Sequence, residues 1–250
     1  MNDWLDDLRT AAAFLTRLPV PFPEAAAPPD LARAQRLFPV VGAAIGLAVG
    51  LCCLALREIG LPDLAAAALA AGAGALLTGA LHEDGLSDVA DGFGGGRDRE
   101  AKLAIMRDSR LGAYGALVLM VSFVAKVSAI AVISDGYVVP GLIAAHALAR
   151  GVLPAMSMNL PFARSEGLAR EAGQPDSTVA ATAFGIAFLI ALLTLSWGHA
   201  FWAAVLAGVS AAGIAWLAKR QIGGQTGDVL GAAEQVAEIA ILLLLAARLA

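Results

Sequence analysis

The stretch Leu37-Phe38-Pro39-Val40-Val41-Gly42-Ala43-Ala44-Ile45-Gly46-Leu47-Ala48-Val49-Gly50-Leu51-Cys52-Cys53-Leu54-Ala55-Leu56-Arg57 reaches its first charged side chain only at the end. A helix needs about 20 mostly apolar residues to cross about 30 Å of hydrocarbon. This segment meets that length and is apolar on every face, so it reads as a membrane span. Working outward, comparable runs occupy residues 62–81, 111–134, 138–157, 178–197, 199–218 and 228–249. The whole chain agrees: of its 250 residues 59% are hydrophobic and 15% charged, with a mean hydropathy of +0.75. Soluble domains are about 45–50% apolar. The expected fold is therefore all-α: a polytopic transmembrane helix bundle of about seven spans, forming a single integral membrane domain over residues 1–250.

Gly42, Gly46 and Gly50 recur every four residues. They give the first span a smooth face on which another backbone can approach closely, a packing feature. Before this span, Trp4, Leu5, Leu8, Ala12, Leu15 and Leu18 stand at helical spacing among Asp6, Asp7, Arg9 and Arg17. That pattern predicts an amphipathic helix on the membrane surface. Pro19, Pro21, Pro23, Pro28 and Pro29 then predict a stiff extended linker, so that residues 1–33 are helix plus linker. The N-terminus lacks the basic start of a secretory signal, and no cleavage is expected. Cys52 and Cys53 are adjacent, which disulfide geometry resists. A net charge of −4 does not point to nucleic acid.

Lys and Arg in short loops set orientation. They gather before the first span (Arg9, Arg17, Arg33, Arg36), in 82–110, in 158–177 (Arg164, Arg170) and in 219–227 (Lys219, Arg220). The opposite loops near 135–137 and 197–199 have none, and only Arg57 and Arg248 dissent. The bias places 82–110, 158–177 and 219–227 together on the cytoplasmic side.

Against this apolar background, residues 82–112 concentrate charge: Glu83, Asp84, Asp88, Asp91, Asp98, Glu100 and Asp108 with Arg97, Arg99, Lys102, Arg107 and Arg110. If helix continues from the second span through 83–91, Asp84, Asp88 and Asp91 share one face. Three carboxylates so placed repel one another, and a hard divalent cation (Mg²⁺, Mn²⁺ or Ca²⁺) relieves that repulsion. Mg²⁺ typically uses one or two carboxylates plus substrate phosphates. Asp108 is placed to return and close the site. Gly92, Gly94, Gly95 and Gly96 are expected to end the helix and let a ligand approach the backbone. Arg97, Lys102, Arg107 and Arg110 supply charge for phosphate oxygens. Acid for metal, glycine for access and arginine for phosphate make a phosphoryl-transfer site. The plain alternative is a solvated loop whose acids and bases pair only for solubility.

The string His82-Glu83-Asp84-Gly85-Leu86-Ser87-Asp88-Val89-Ala90-Asp91-Gly92-Phe93-Gly94-Gly95-Gly96, followed by Ile105-Met106-Arg107-Asp108-Ser109-Arg110-Leu111-Gly112, closely resembles the cobalamin-5′-phosphate synthase family (adenosylcobinamide-GDP ribazoletransferases). Phe38-Pro39-Val40-Val41-Gly42 upstream and Gly223-Gly224-Gln225-Thr226-Gly227-Asp228-Val229-Leu230-Gly231-Ala232 downstream extend the resemblance across most of the chain. It implies a multi-pass, Mg²⁺-dependent enzyme of the bacterial inner membrane, late in cobalamin (vitamin B12) biosynthesis, with its site facing the cytoplasm. Such an enzyme joins adenosylcobinamide-GDP to α-ribazole 5′-phosphate, or α-ribazole, and releases GMP. Its partners are these substrates and the lipid bilayer; a homo-oligomer or association with other corrinoid-pathway enzymes stays open.

On this reading Asp84, Asp88 and Asp91 hold metal, joined by Glu83 or Asp108, and Arg97, Lys102, Arg107 and Arg110 neutralise the departing phosphate. His82 or a carboxylate free of metal takes the acceptor proton; the alternative for His82 is a surface or capping residue. Asp88-Val89-Ala90-Asp91-Gly92 also looks like the start of the CDP-alcohol phosphotransferase signature. Gly94-Gly95-Gly96-Arg97 replaces the expected Ala-Arg, however, and no GxxxDxxxD follows, which disfavours a lipid-forming enzyme of that kind.

Two further groups stand out. Gln225, Thr226 and Asp228, before the last span, are placed to bind nucleotide, phosphate or metal at a helix N-terminus, or to act as an N-cap. Lys126, His146, Arg150, Glu234 and Glu238 lie within spans, where ionisable groups face the bundle interior and pair. They line a polar cavity or form ion pairs such as Lys126 with Glu238. They also motivate the competing reading of an ion-coupled transporter, although no internal repeat supports it.

Overall fold

A computed structural model describes residues 3–22 and 29–249, so the linker prolines Pro23 and Pro28 lie outside the described residues. The described chain is helical: α1 Asp3–Leu15, α2 Leu31–Ala34, α3 Phe38–Glu58, α4 Asp63–Thr78, α5 Leu81–Gly95, α6 Arg99–Ile105, α7 Ala113–Val132, α8 Asp135–Gly151, α9 Leu153–Asn159, α10 Leu168–Glu171, α11 Ser177–Thr194, α12 Trp197–Ile222 and α13 Gly227–Leu249. Among the described residues the one β-type pairing is an isolated bridge between Phe162 and Gln225. Six helical segments are long and apolar enough to cross a membrane, and the bent pair α4–α5 makes a seventh.

That pair departs from the sequence expectation. Helix does not continue from the second span through 83–91; the axis turns by 90° between α4 and α5. The cause is local. Gly79 and Ala80 both take left-handed backbone, φ +67° and +55°. The Gly79 N–H donates to Leu76 O and the Ala80 N–H to Ala75 O at 2.7 Å, the reciprocal closure that glycine provides at helix C-termini. Ala80 has a Cβ and is strained there by about 1–2 kcal/mol. The turn is held from outside by the Arg17 N–H, which donates to Leu77 O at 2.8 Å.

The glycine stripe of α3 packs as expected. A Cβ on Gly42 or Gly46 would strike the backbone carbonyls of His146 and Leu142, and one on Gly50 would lie 2.8 Å from Val139 Cα. Backbone rather than a movable side chain fills the space, so α3 and α8 cannot part locally. Gly46→Val is expected to destabilise the bundle by about 1–3 kcal/mol. Thermal unfolding of the detergent-solubilised protein would report it, and an unchanged Tm would mean that the two helices separate freely.

The N-terminal helix is amphipathic and also docks. Trp4 and Leu5 are exposed, whereas Ala11 and Leu15 are buried. Asp7, 1% exposed, is paired by Arg33 at 2.9 Å and Arg36 at 2.7 Å. The dissenting Arg57 is neutralised where it lies: its guanidinium meets Asp63 at 3.1 Å and Asp135 at 2.8 Å and donates to Ile130 O and Ile133 O.

Candidate active site

The site is built where α5 crosses α13. Two small residues let these helices touch: a Cβ on Gly85 would lie 2.8 Å from Asp228 O, and one on Gly231 3.2 Å from His82 Cα. The crossing carries Asp228, at the start of α13, to the acidic face of α5. Asp88, half-buried, has Asp84, Asp228 and Asp91 as like-charged neighbours and Arg164 as an opposing one. Among the described residues neither the Asp84 nor the Asp88 carboxylate accepts a hydrogen bond or forms an ion pair. Asp228 accepts from Thr226 Oγ1 at 3.1 Å and faces Arg164 Nη1 at 3.4 Å.

Asp91 is placed differently. Buried at 9% exposure, it accepts from the Gly112 N–H at Oδ2 and the Gly115 N–H at Oδ1, both 2.8 Å. It thus caps the N-terminus of α7 from another helix, satisfying two orphan donors. Asp91→Asn keeps one oxygen and turns an amide NH₂ toward a backbone N–H. A loss of about 1–2 kcal/mol in stability is expected from the broken cap, read as a lower Tm. An Asp91→Asn protein as stable as wild type would show that the cap contributes little.

The three polar segments assigned to one side do meet. Arg99 donates to Ile222 O and Ala163 O, both 2.8 Å, and Arg164 donates to Leu103 O at 3.2 Å. Gln225 is buried and structural in its contacts, Nε2 donating to Ser157 O and Leu160 O and its N–H to Pro161 O. Thr226 Oγ1 accepts from the Val229 N–H at 3.3 Å, so Thr226 is the cap of α13. Of the basic residues, Arg107 lies close enough to Arg164 for their charges to act on each other. Lys102 is bound to Gln221, and Arg97 is exposed. Arg110 is engaged with Asp108, whose carboxyl its hydrogen bonds hold down at about 2. Among the described residues the ion-pair partner of Asp108 is Arg110, and no contact brings Asp108 to Asp84 or Asp88.

The glycine run also differs from expectation. Gly92, Gly94 and Gly95 lie inside α5, none of them at positive φ. Gly92 is packed on Met106, Gly94 on the Tyr114 ring and Gly96 on Lys102. The helix does end in this run, at Gly95 with Gly96 as its cap, but the glycines' missing side chains admit neighbouring helices rather than a ligand.

The in-span charges form a second cluster. Lys126 Nζ meets Glu238 at 2.9 Å and Glu83 at 3.3 Å; His146 Nδ1 meets Glu238 at 3.0 Å. Arg150 pairs with Glu234, with His82 Nδ1 3.4 Å from its Nη2. The Lys126–Glu238 pairing is therefore present, and His82 and Glu83, expected at the site, look into this network. Among the described residues, His146, Glu234 and Glu238 bring ligand-type atoms within 4.8 Å of one another. Two protein cations, Arg150 and Lys126, already compensate them.

Comparison with known proteins identifies the family. The family described as cobalamin-5-phosphate synthase matches residues 7–246. The chain belongs to that family. An adenosylcobinamide-GDP ribazoletransferase of Bradyrhizobium diazoefficiens is 48% identical over 242 residues, covering 96% of this chain and 93% of the relative. Proteins of the same name from Mesorhizobium japonicum and Azorhizobium caulinodans are 46% and 42% identical, each over 96% of this chain and over 92% and 94% of their own. No solved structure matches. Within this synthase-family chain, the sequence pointed to Asp228 as a phosphate or metal ligand, but not to its place as the third acid of the face, nor to Arg164 as the cation opposing Asp88. Gly85 and Gly231, small residues at a helix crossing, were the available signal.

Proposed function

We propose that this chain catalyses transfer of the adenosylcobinamide phosphoryl group from adenosylcobinamide-GDP to α-ribazole 5′-phosphate or α-ribazole, releasing GMP. The observation that carries the proposal is the α5–α13 crossing, which sets Asp84, Asp88 and Asp228 together opposite Arg164. A nucleotide pyrophosphate requires this pairing of oxygen ligands for a cation with a guanidinium for phosphate.

The residues fit Mg²⁺. Asp84 and Asp88 are hard-oxygen donors with no protein partner among the described residues, and Asp228 completes the face. Bound there, the ion would neutralise pyrophosphate charge and stabilise the entering and leaving oxygens. Arg164, with Arg107 beside it, binds and orients the phosphates. The acceptor's ribose hydroxyl attacks the phosphorus on the cobinamide side; a new P–O bond forms, the pyrophosphate P–O bond breaks, and GMP leaves with its electron pair. His82 is our candidate for the hydroxyl proton in the tautomer whose Nδ1–H faces Glu234 Oε2 at 3.6 Å, which leaves the Nε2 lone pair to take it.

The basic segments 82–110, 158–177 and 219–227 lace together around this site, and their charge supports a cytoplasmic position in the inner membrane. The transporter alternative loses its support, because the in-span charges pair with one another. The test is GMP release from adenosylcobinamide-GDP plus α-ribazole 5′-phosphate by purified protein, with Mg²⁺ and with excess chelator. Release that depends on both substrates and on the ion is expected. No release would overturn the reaction, and chelator-insensitive release would overturn the metal.

A further inference from the structure

Beside the acidic face lies a partly open, mainly apolar cavity that the transfer chemistry does not itself explain. Its apolar walls include Phe14 and Leu15 of α1, Phe38 of α3, Leu153 of α9 and Leu230 of α13. His82, Asp84 and Asp228 also line it. The Phe14 and Phe38 rings are stacked, centroids 5.8 Å apart and planes within 8°. The N-terminal helix is fixed in place to supply Phe14: Asp7 is clamped by Arg33 and Arg36, and the chain just beyond is stapled to α4 by the Arg17–Leu77 hydrogen bond.

We infer that this cavity is the subsite for the flat aromatic base of the ribazole acceptor, an inference that rests on the proposed reaction. The substrates offer three bulky parts. A corrin macrocycle with its amide side chains is too large for the space. Guanine presents a carbonyl, an amino group and ring nitrogens along its edges; Gln35, Ser157, His82, Asp84 and Asp228 are the polar groups of a cavity otherwise walled by Phe, Leu, Ala and Gly, and each guanine edge group left facing those apolar walls costs about 1–3 kcal/mol. A dimethylated benzimidazole, joined to its ribose through one nitrogen, has a single ring acceptor left and is otherwise apolar, which suits walls of Phe and Leu. Phe14 and Phe38 stack on each other, and an outer phenyl face of the pair offers offset stacking to such a ring. The position is also consistent: a base held here keeps its ribose, one bond away, beside Asp84 and Asp228, where the attacking hydroxyl is needed. Phe14 is thereby a specificity-determining residue contributed by a helix outside the spans.

The test separates acceptor from donor. Phe14→Ala should raise KM for α-ribazole 5′-phosphate by about tenfold, within the range that loss of base–aromatic stacking gives, with KM for adenosylcobinamide-GDP unmoved. Phe14→Tyr should retain the wild-type acceptor KM. Ala172→Trp, at the cavity wall on the segment connecting the spans, should raise acceptor KM without disturbing a span. Unchanged acceptor KM in Phe14→Ala and Ala172→Trp, or an equal rise for both substrates, overturns the subsite. Should wild type release no GMP, the reaction fails but the subsite is still decided. Equilibrium dialysis of α-ribazole against full-length solubilised protein must then show binding that Phe14→Ala weakens, and absent or equal binding overturns it.

Discussion

Asp88→Asn is expected to lower GMP release by on the order of 10³-fold or more while the protein inserts and melts like wild type. The asymmetry follows from the geometry. Asp88 is half-buried at the centre of the acidic face, with three aspartates around it and no hydrogen-bond partner in the protein among the described residues. A side chain in that position meets three aspartates against the one opposing Arg164 and makes no hydrogen bond, so replacing its charge with an isosteric amide relieves the folded state. The same change removes one anionic oxygen ligand and the field that holds a cation against phosphate. Asp84→Asn should behave likewise. Asp91→Asn should not: its carboxylate is committed to the Gly112 and Gly115 N–H groups, and its defect includes lost stability. The comparison is made by GMP release and Tm on the same preparations. Wild-type turnover in Asp88→Asn would remove the acidic face from the chemistry.

What the sequence revealed and what it hid divide along a physical line. Composition and run length are local, and they located the spans because hydrocarbon imposes one length on every crossing helix. The spacing of Asp84 and Asp88 is also local, and helical period put them on one face. The break at Gly79 carried its signal, glycine after a helix, yet the apolar run continues through Leu81 and masks it. The remaining features depend on contacts between distant segments. Asp91 reads like its neighbours until its two donors, 21 and 24 positions away, are in place. Asp228 joins the acids only because Gly85 and Gly231 let two helices touch. The glycine run suggested access for a ligand, whereas the space it leaves is filled by Met106, Tyr114 and Lys102. Small residues in a membrane bundle answer first to packing.

Glu238→Gln is expected to destabilise the folded bundle by about 3–5 kcal/mol, the largest stability effect we anticipate. Glu238 is 2% exposed and receives Lys126 at 2.9 Å from α7 and His146 at 3.0 Å from α8. Glu234, one turn away on α13, engages Arg150. The network thus ties three helices, and α5 joins through Glu83, which accepts from Lys126 and from Gln235 Nε2, both at 3.3 Å. Neutralising Glu238 strands the Lys126 ammonium in the bundle interior with the more distant Glu83 and Glu234 to offset it. The cost comes from the orphaned charge rather than from the lost bond, and that distinction is testable. Lys126→Met in the Glu238→Gln background removes the stranded charge and should recover most of the loss, since an ion pair replaced as a unit is often near neutral. Thermal unfolding of the single and double variants in one detergent gives the cycle. Recovery in the double variant supports charge compensation; a double variant that falls by the sum of the singles would show that each side chain acts alone.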